Sequence, residues 1–186
     1  EHGGWEIVNR AYSLLPLTTE QIIHPEKYIE FEPEVPVNDP PLGDALSDSW
    51  RLVERDTLGE WDTYILLAWG ASEAARMDSE AALAAAAGWG GDTYQVYHNE
   101  DLEQTVLAVH WIWDTADDQT EFYDQLRAHL ATRFMNVEIS GPGNGVCWMH
   151  AGTYSCLYGS GQDTLWLLAP DLTVLSNIKG LFPQLP

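Results

Sequence analysis

Residues 88–115 read GWGGDTYQVYHNEDLEQTVLAVHWIWDT, and the fold turns on this stretch. Its alternating pattern predicts two antiparallel strands joined at Asn99 to Glu103. On the second strand Val106, Ala108, His110 and Ile112 point one way, while Leu107, Val109, Trp111 and Trp113 point the other. Both sets are apolar, so the strand belongs inside a sheet that is covered on both faces. His110, lying between Val109 and Trp111, is expected as a hydrogen-bonded core histidine. GWGGD lacks the lysine and the following helix of a phosphate cradle, and reads as a tight helix-to-strand turn.

Downstream, residues 115–133 predict a helix capped by Asp114 or Thr115, with Phe122, Leu126 and Leu130 as its buried stripe. Strand-like segments follow near 146–150, 154–158 and 163–168. A terminal helix starts from Asp171, with Leu172, Leu175 and Ile178 turned inward. Upstream, residues 49–56 alternate as a strand. Thr57 and Glu60 form a capping-box pattern for a helix that would bury Leu58, Trp61, Ile65 and Trp69. Residues 79–87 predict an alanine-rich helix capped by Asp78 and ended by Gly88. The expected architecture is α+β, an antiparallel sheet packed with helices, spanning residues 49–186.

Two further regions precede that module. Residues 1–28 predict a helical appendage: Trp5, Val8, Tyr12 and Leu15 recur at helical spacing before Pro16, and Thr18 with Gln21 forms a second capping-box pattern. Residues 29–48 alternate Glu with Pro and read as an extended acidic linker or strap, most simply a solvated one.

Cys147 and Cys156 are the only cysteines, and the turn signal of Gly152 and Thr153 falls between them. They are expected to face each other across a hairpin as a disulfide. The alternatives are free buried thiols or a metal site completed by His150. With only two lysines, Lys27 and Lys179, and an acidic surface, a cystine favours an oxidising compartment: a secreted or cell-surface protein.

The composition excludes more than it selects. Of 186 residues, 29 are Asp or Glu and 8 are Lys or Arg, and the net charge of −21 repels nucleic acid and anionic lipid surfaces. No apolar run reaches the roughly 18 residues of a membrane span. HExxH, GxSxG, Walker and GxGxxG patterns are missing, which leans against an enzyme. Two functional constellations remain. His98 with Glu100, helped by Asp101, could form an acid–base pair on the hairpin turn and serve a hydrolase. Trp111, Trp113, Trp148 and Trp166 could form an exposed aromatic platform for stacking sugars.

Three segments, GGWEIVNRAYSLLPLTTEQIIHPEKY, DTLGEWDTYILLAW and GWGGDTYQVYHNE with VHWIWDTADDQTEF, together resemble one family. They look like the C-terminal portion of HExxH-containing, metallopeptidase-like proteins of bacterial and archaeal cell surfaces. In those proteins a zincin-like helical half precedes the TEQ-HPEKY segment and a GWGGD-type module. The resemblance covers residues 3 to about 125. It implies a non-catalytic accessory half, or a structural subunit of an extracellular assembly, without cofactor in this chain: zinc would belong to an upstream HExxH segment. His24 of HPEKY carries no ligand role and is expected to cap or pack. The implied partners are an N-terminal fragment of the same precursor or other surface proteins.

Overall fold

The computed structural model describes residues 4–135 and 137–186. Among them seven strands form one sheet: β1 (Arg51–Asp56), β2 (Trp89–Asn99), β3 (Gln104–Trp113), β4 (Glu138–Ser140), β5 (Val146–His150), β6 (Thr153–Ser160) and β7 (Asp163–Ala169). Their spatial order is β1-β2-β3-β7-β6-β5-β4, and every neighbouring pair is antiparallel. The chain meanders through β1, β2 and β3, crosses on a long helix to the far edge, and meanders back until β7 pairs with β3. The α+β architecture expected from the sequence is the one observed.

The helices are α1 (Gly4–Ser13), α2 (Glu20–Ile23), α3 (Pro25–Glu30), α4 (Gly59–Ala68), α5 (Ser79–Ala86), α6 (Ala116–Arg133) and α7 (Leu172–Lys179). Helices α4, α5 and α6 cover one sheet face, packing Leu67, Ala82, Phe122 and Leu126 against Val109, Trp111, Trp113, Trp148 and Trp166. The other face carries Val106, Ala108, Tyr158, Leu165 and Leu167 beneath Leu175 and Ile178 of α7, Phe182, and Leu42 of the acidic strap. Burial on both sides explains why β3 lacks a polar face.

Local signals account for several boundaries. Thr115 Oγ1 accepts the Asp118 N–H at 3.1 Å to cap α6, and Asp171 accepts from Thr173 and Val174 at 2.8 Å each to cap α7. Leu175 and Ile178 point inward as expected, whereas Leu172 is 40% exposed because it sits in the first turn, outside the packed face. Cys147 and Cys156 stand directly opposite each other in the β5–β6 register and form the disulfide. Closing that short loop contributes about 2–3 kcal/mol in the chain-entropy account. The turn lies one residue earlier than the sequence signal suggested. His150 pairs with Thr153, leaving Ala151 and Gly152 as a two-residue turn with φ of 50° and 80°.

The strap stays largely solvated, as expected, but residues 31–50 are anchored to the sheet at a few points. Val35 donates its N–H to the Gly90 carbonyl at 2.7 Å, Asp39 pairs with Arg55 and Gln95, and Leu42 is fully buried. Gly91 permits this crossing, because a Cβ there would be driven onto the Val35 carbonyl oxygen.

Candidate functional site

Of the residues singled out from the sequence, the strand tryptophans, the cysteines and His110 serve the core, while His98, Glu100 and His150 lie at the surface. Trp111, Trp113 and Trp148 are completely buried and Trp166 is 3% exposed, so they form no platform for a sugar. The indoles of Trp111 and Trp166 donate to Thr63 Oγ1 and Ser155 Oγ at 3.0 and 2.9 Å, which satisfies them inside the protein. His98 bonds through Nδ1 to Thr105 Oγ1 at 3.0 Å across the hairpin, and among the described residues it has no hydrogen bond to the exposed Glu100. Both cysteines are tied in the disulfide, and His150 lies exposed at the end of β5, so the three do not form a metal site. His110 is a core histidine: Nε2 lies 2.8 Å from Asp163, Nδ1 lies 3.1 Å from the Asn38 carbonyl, and Phe182 packs against its ring.

GWGGD has a structural task that its glycines alone did not announce. Asp92 reaches from β2 to accept the Leu58 and Gly59 N–H groups and the Trp89 indole, each at 2.7 Å. It therefore caps α4 in place of the Thr57 and Glu60 box, and burial pushes its carboxyl above the ordinary Asp range. With α4 held this way, Thr63, Tyr64, Leu67 and Ala68 face inward. Trp61 and Trp69 turn outward at 46% and 62% exposure, opposite to the face the sequence favoured.

The most concentrated polar chemistry lies where the N-terminal arm meets this module. Lys27 on α3 donates to Glu20 at 2.5 Å, Asp114 at 2.6 Å and Glu32 at 2.9 Å. Next to it, His24 Nε2 lies 2.8 Å from Glu60 Oε1 of α4. Glu20 and Glu60 are almost fully buried, and removal from water pushes both carboxyls up, Glu20 to about 7 despite Lys27 pulling the other way. The oxygens of Glu20, Glu32 and Asp114 lie within 4.8 Å of one another, a set suited to a hard cation. The position a cation would take is filled by the Lys27 ammonium. This clasp joins the arm to the C-terminal end of β3, and within it His24 makes a polar contact with Glu60 and no side-chain cap bond to α3.

Beside Lys27, Tyr28 carries the connection on to α1. Its hydroxyl donates to the Leu14 carbonyl at 2.7 Å, and Arg10 lies over its ring at 5.4 Å. Helix α1 itself buries no side chain. Trp5 is 81% exposed, Tyr12 84% and Leu15 68%, and Tyr12 and Leu15 with Ile7, Val8, Ala11 and Tyr28 border an open apolar groove of about 390 Å³. The spacing of Trp5, Val8, Tyr12 and Leu15 was visible in the sequence. Its uncovered state was not, because periodicity reports an apolar face without saying what lies against it.

A family model described as "Domain of unknown function (DUF8575)" matches residues 50–179. The match takes in Asp92, the disulfide, the first core and most of the second, whose Leu42, Phe182 and Leu185 lie outside it, while Lys27 and α1 lie before it. No curated protein and no solved structure matches the chain.

Proposed function

We propose that this chain, which belongs to the DUF8575 family, works as a non-catalytic interaction module of a secreted or surface-exposed protein and docks a basic, amphipathic partner on the apolar face of α1. The observation that carries this reading is the combination of an unburied amphipathic helix with a rigid clasp behind it. A ten-residue helix is marginal by itself in water, and α1, in which Ile7 and Ala11 are only half-buried and no side chain is fully covered, stands to gain stability from a partner. Charge supports the partner's chemistry: a chain of net charge −21 resists pairing with a second copy of itself and attracts a face rimmed by Lys and Arg. The buried disulfide supports an oxidising location, and no described helix is long and apolar enough to cross a membrane. The resemblance drawn from the sequence makes the helical half of a metallopeptidase-like surface protein the first natural partner to test.

The proposal is tested with two labelled helical peptides of equal hydrophobicity, one Leu/Lys and one Leu/Glu, titrated onto the whole chain. The Leu/Lys peptide is expected to bind and the Leu/Glu peptide not to. Adding negative charge on α1 by Trp5→Asp with Tyr12→Asp separates the two contributions. Docking on the apolar face predicts weakening by at least about tenfold. Attraction by charge alone predicts tighter binding, and that result would refute the proposal.

The clasp adds a pH signature. Glu20 has its carboxyl raised to about 7 from 4.5, so between those values the folded chain holds more protons than the unfolded one. Its contribution is fully present below about 4.5 and is lost as pH rises to about 7. Glu60 and Asp92, raised in the same direction by burial, act with the same sign. Thermal unfolding is expected to occur at higher temperature near pH 5 than above pH 7, with a shallower dependence in Glu20→Gln. An unchanged slope in that variant would show that Glu20 does not titrate in this window.

A further inference from the structure

At the opposite end of β3 and α6 from Lys27, the β2–β3 turn, the end of α6 and the β5–β6 turn enclose an open cavity of about 710 Å³. Its walls include Leu107, Leu168 and Phe134, and Arg133 and His150 also line it. We infer that this cavity binds a small organic carboxylate with an apolar body, held by the Arg133 guanidinium.

Arg133 is a half-buried cation left without an acceptor; Arg10 and Arg51 also lack one among the described residues, but both are exposed. Arg127, on the same helix, makes two hydrogen bonds to Glu138, Arg55 pairs with Asp39, and Lys27 holds three carboxylates. In a protein with 29 acidic residues, Arg133 has neither a carboxylate nor a hydrogen-bond acceptor among the described residues. It is half-buried, and its guanidinium lies 5.6 Å from the Phe134 ring centre and 5.9 Å from that of Trp166. Stacked rings hold the planar group in place while its N–H edge stays available for a two-point contact with a carboxylate. A position in the last turn of α6 favours a cation, but it does not account for an unpaired one facing a cavity.

Turns of the backbone form the rim of the cavity. Glu103 and Ala151 line it with φ of 50° each, and Met135, directly after Phe134, has φ of 66°. These are three of the four non-glycine residues in the left-handed region among the described residues. Each belongs to a chain reversal, Glu103 in the β2–β3 turn, Ala151 in the β5–β6 turn and Met135 just past the end of α6, and these reversals bring the walls of the cavity together. The single guanidinium suits a monoanion. Glu103 at the rim and the net charge of −21 disfavour a dianion such as a phosphate monoester. The apolar wall takes the body of the ligand, and the volume is that of an ordinary small-molecule site.

The probe is 3-phenylpropionate, titrated onto the whole chain and followed by amide chemical shifts. Saturable shifts are expected in residues 104–107 and 150–153, with 3-phenylpropionamide binding at least about tenfold more weakly. Arg133→Gln is expected to weaken the carboxylate by a similar factor, and Arg133→Lys, which keeps the charge and loses the planar fork, by less. Unchanged spectra away from the cavity establish that both variants are folded. Equal binding of the amide, undiminished binding by Arg133→Gln, a lack of saturation, or tighter binding of phenyl phosphate would each overturn the assignment.

Discussion

Asp92→Ala is expected to lower the free energy of unfolding by about 3–5 kcal/mol, the largest effect of any single polar substitution proposed for this chain. Its two oxygens serve the Leu58 and Gly59 N–H groups and the Trp89 indole in a site where Asp92 is 5% exposed. Alanine leaves three donors without an acceptor and frees the start of α4, whose inner face supplies Thr63 and Leu67 to the core. Asp92→Asn keeps one acceptor but turns an amide toward a donor, so its loss should be intermediate. Urea unfolding of both variants checks the order. Equal losses would mean that the charge matters and the capping does not.

Lys27→Met is expected to cost about 2–4 kcal/mol near neutral pH, the figure for a broken buried pair reduced because Glu32 and Asp114 are partly solvated. Methionine keeps the length and apolar stem of lysine, so the loss reports on the ammonium. Near pH 5 the deficit should shrink, since Glu20, with its carboxyl raised to about 7, is then protonated with or without the ammonium. The arm should also loosen, with faster proteolysis of residues 14–32 than in the parent chain. Unchanged stability together with an unchanged cleavage rate would show that the clasp does not hold the arm.

The parts of the fold legible in the sequence are those set by neighbours in the chain. The two apolar faces of β3, the stripe of α6 and the caps Thr115 and Asp171 each follow from a local period or a local side-chain bond. Helix α4 misled because LGEWDTYILLAW offers two apolar stripes of similar strength. The remote cap from Asp92 and the bond from Trp111 to Thr63 select the one with fewer tryptophans. The strand tryptophans could not be placed inside or outside by composition. Their depth is settled by helices α4, α5 and α6 lying over them. Lys27 and Asp114 stand 87 residues apart, and no periodicity connects them. The scarcity of lysine is the available signal, and by itself it points to compartment and not to a partner for Lys27. Arg133 gave no sign in the sequence, because its half-buried place beside the cavity, without an acceptor, emerges only from the fold.

The central claim is that α1 is an arm waiting for a partner, held out by a clasp that stays closed. Amide hydrogen exchange of the whole chain, alone and with the Leu/Lys peptide, tests it most directly. Amides of residues 4–13 are predicted to exchange rapidly in the free chain and to slow on binding, while those of α6 are protected in both states. If α1 is already protected without a partner, or if the peptide slows exchange elsewhere and leaves residues 4–13 unchanged, the account is contradicted.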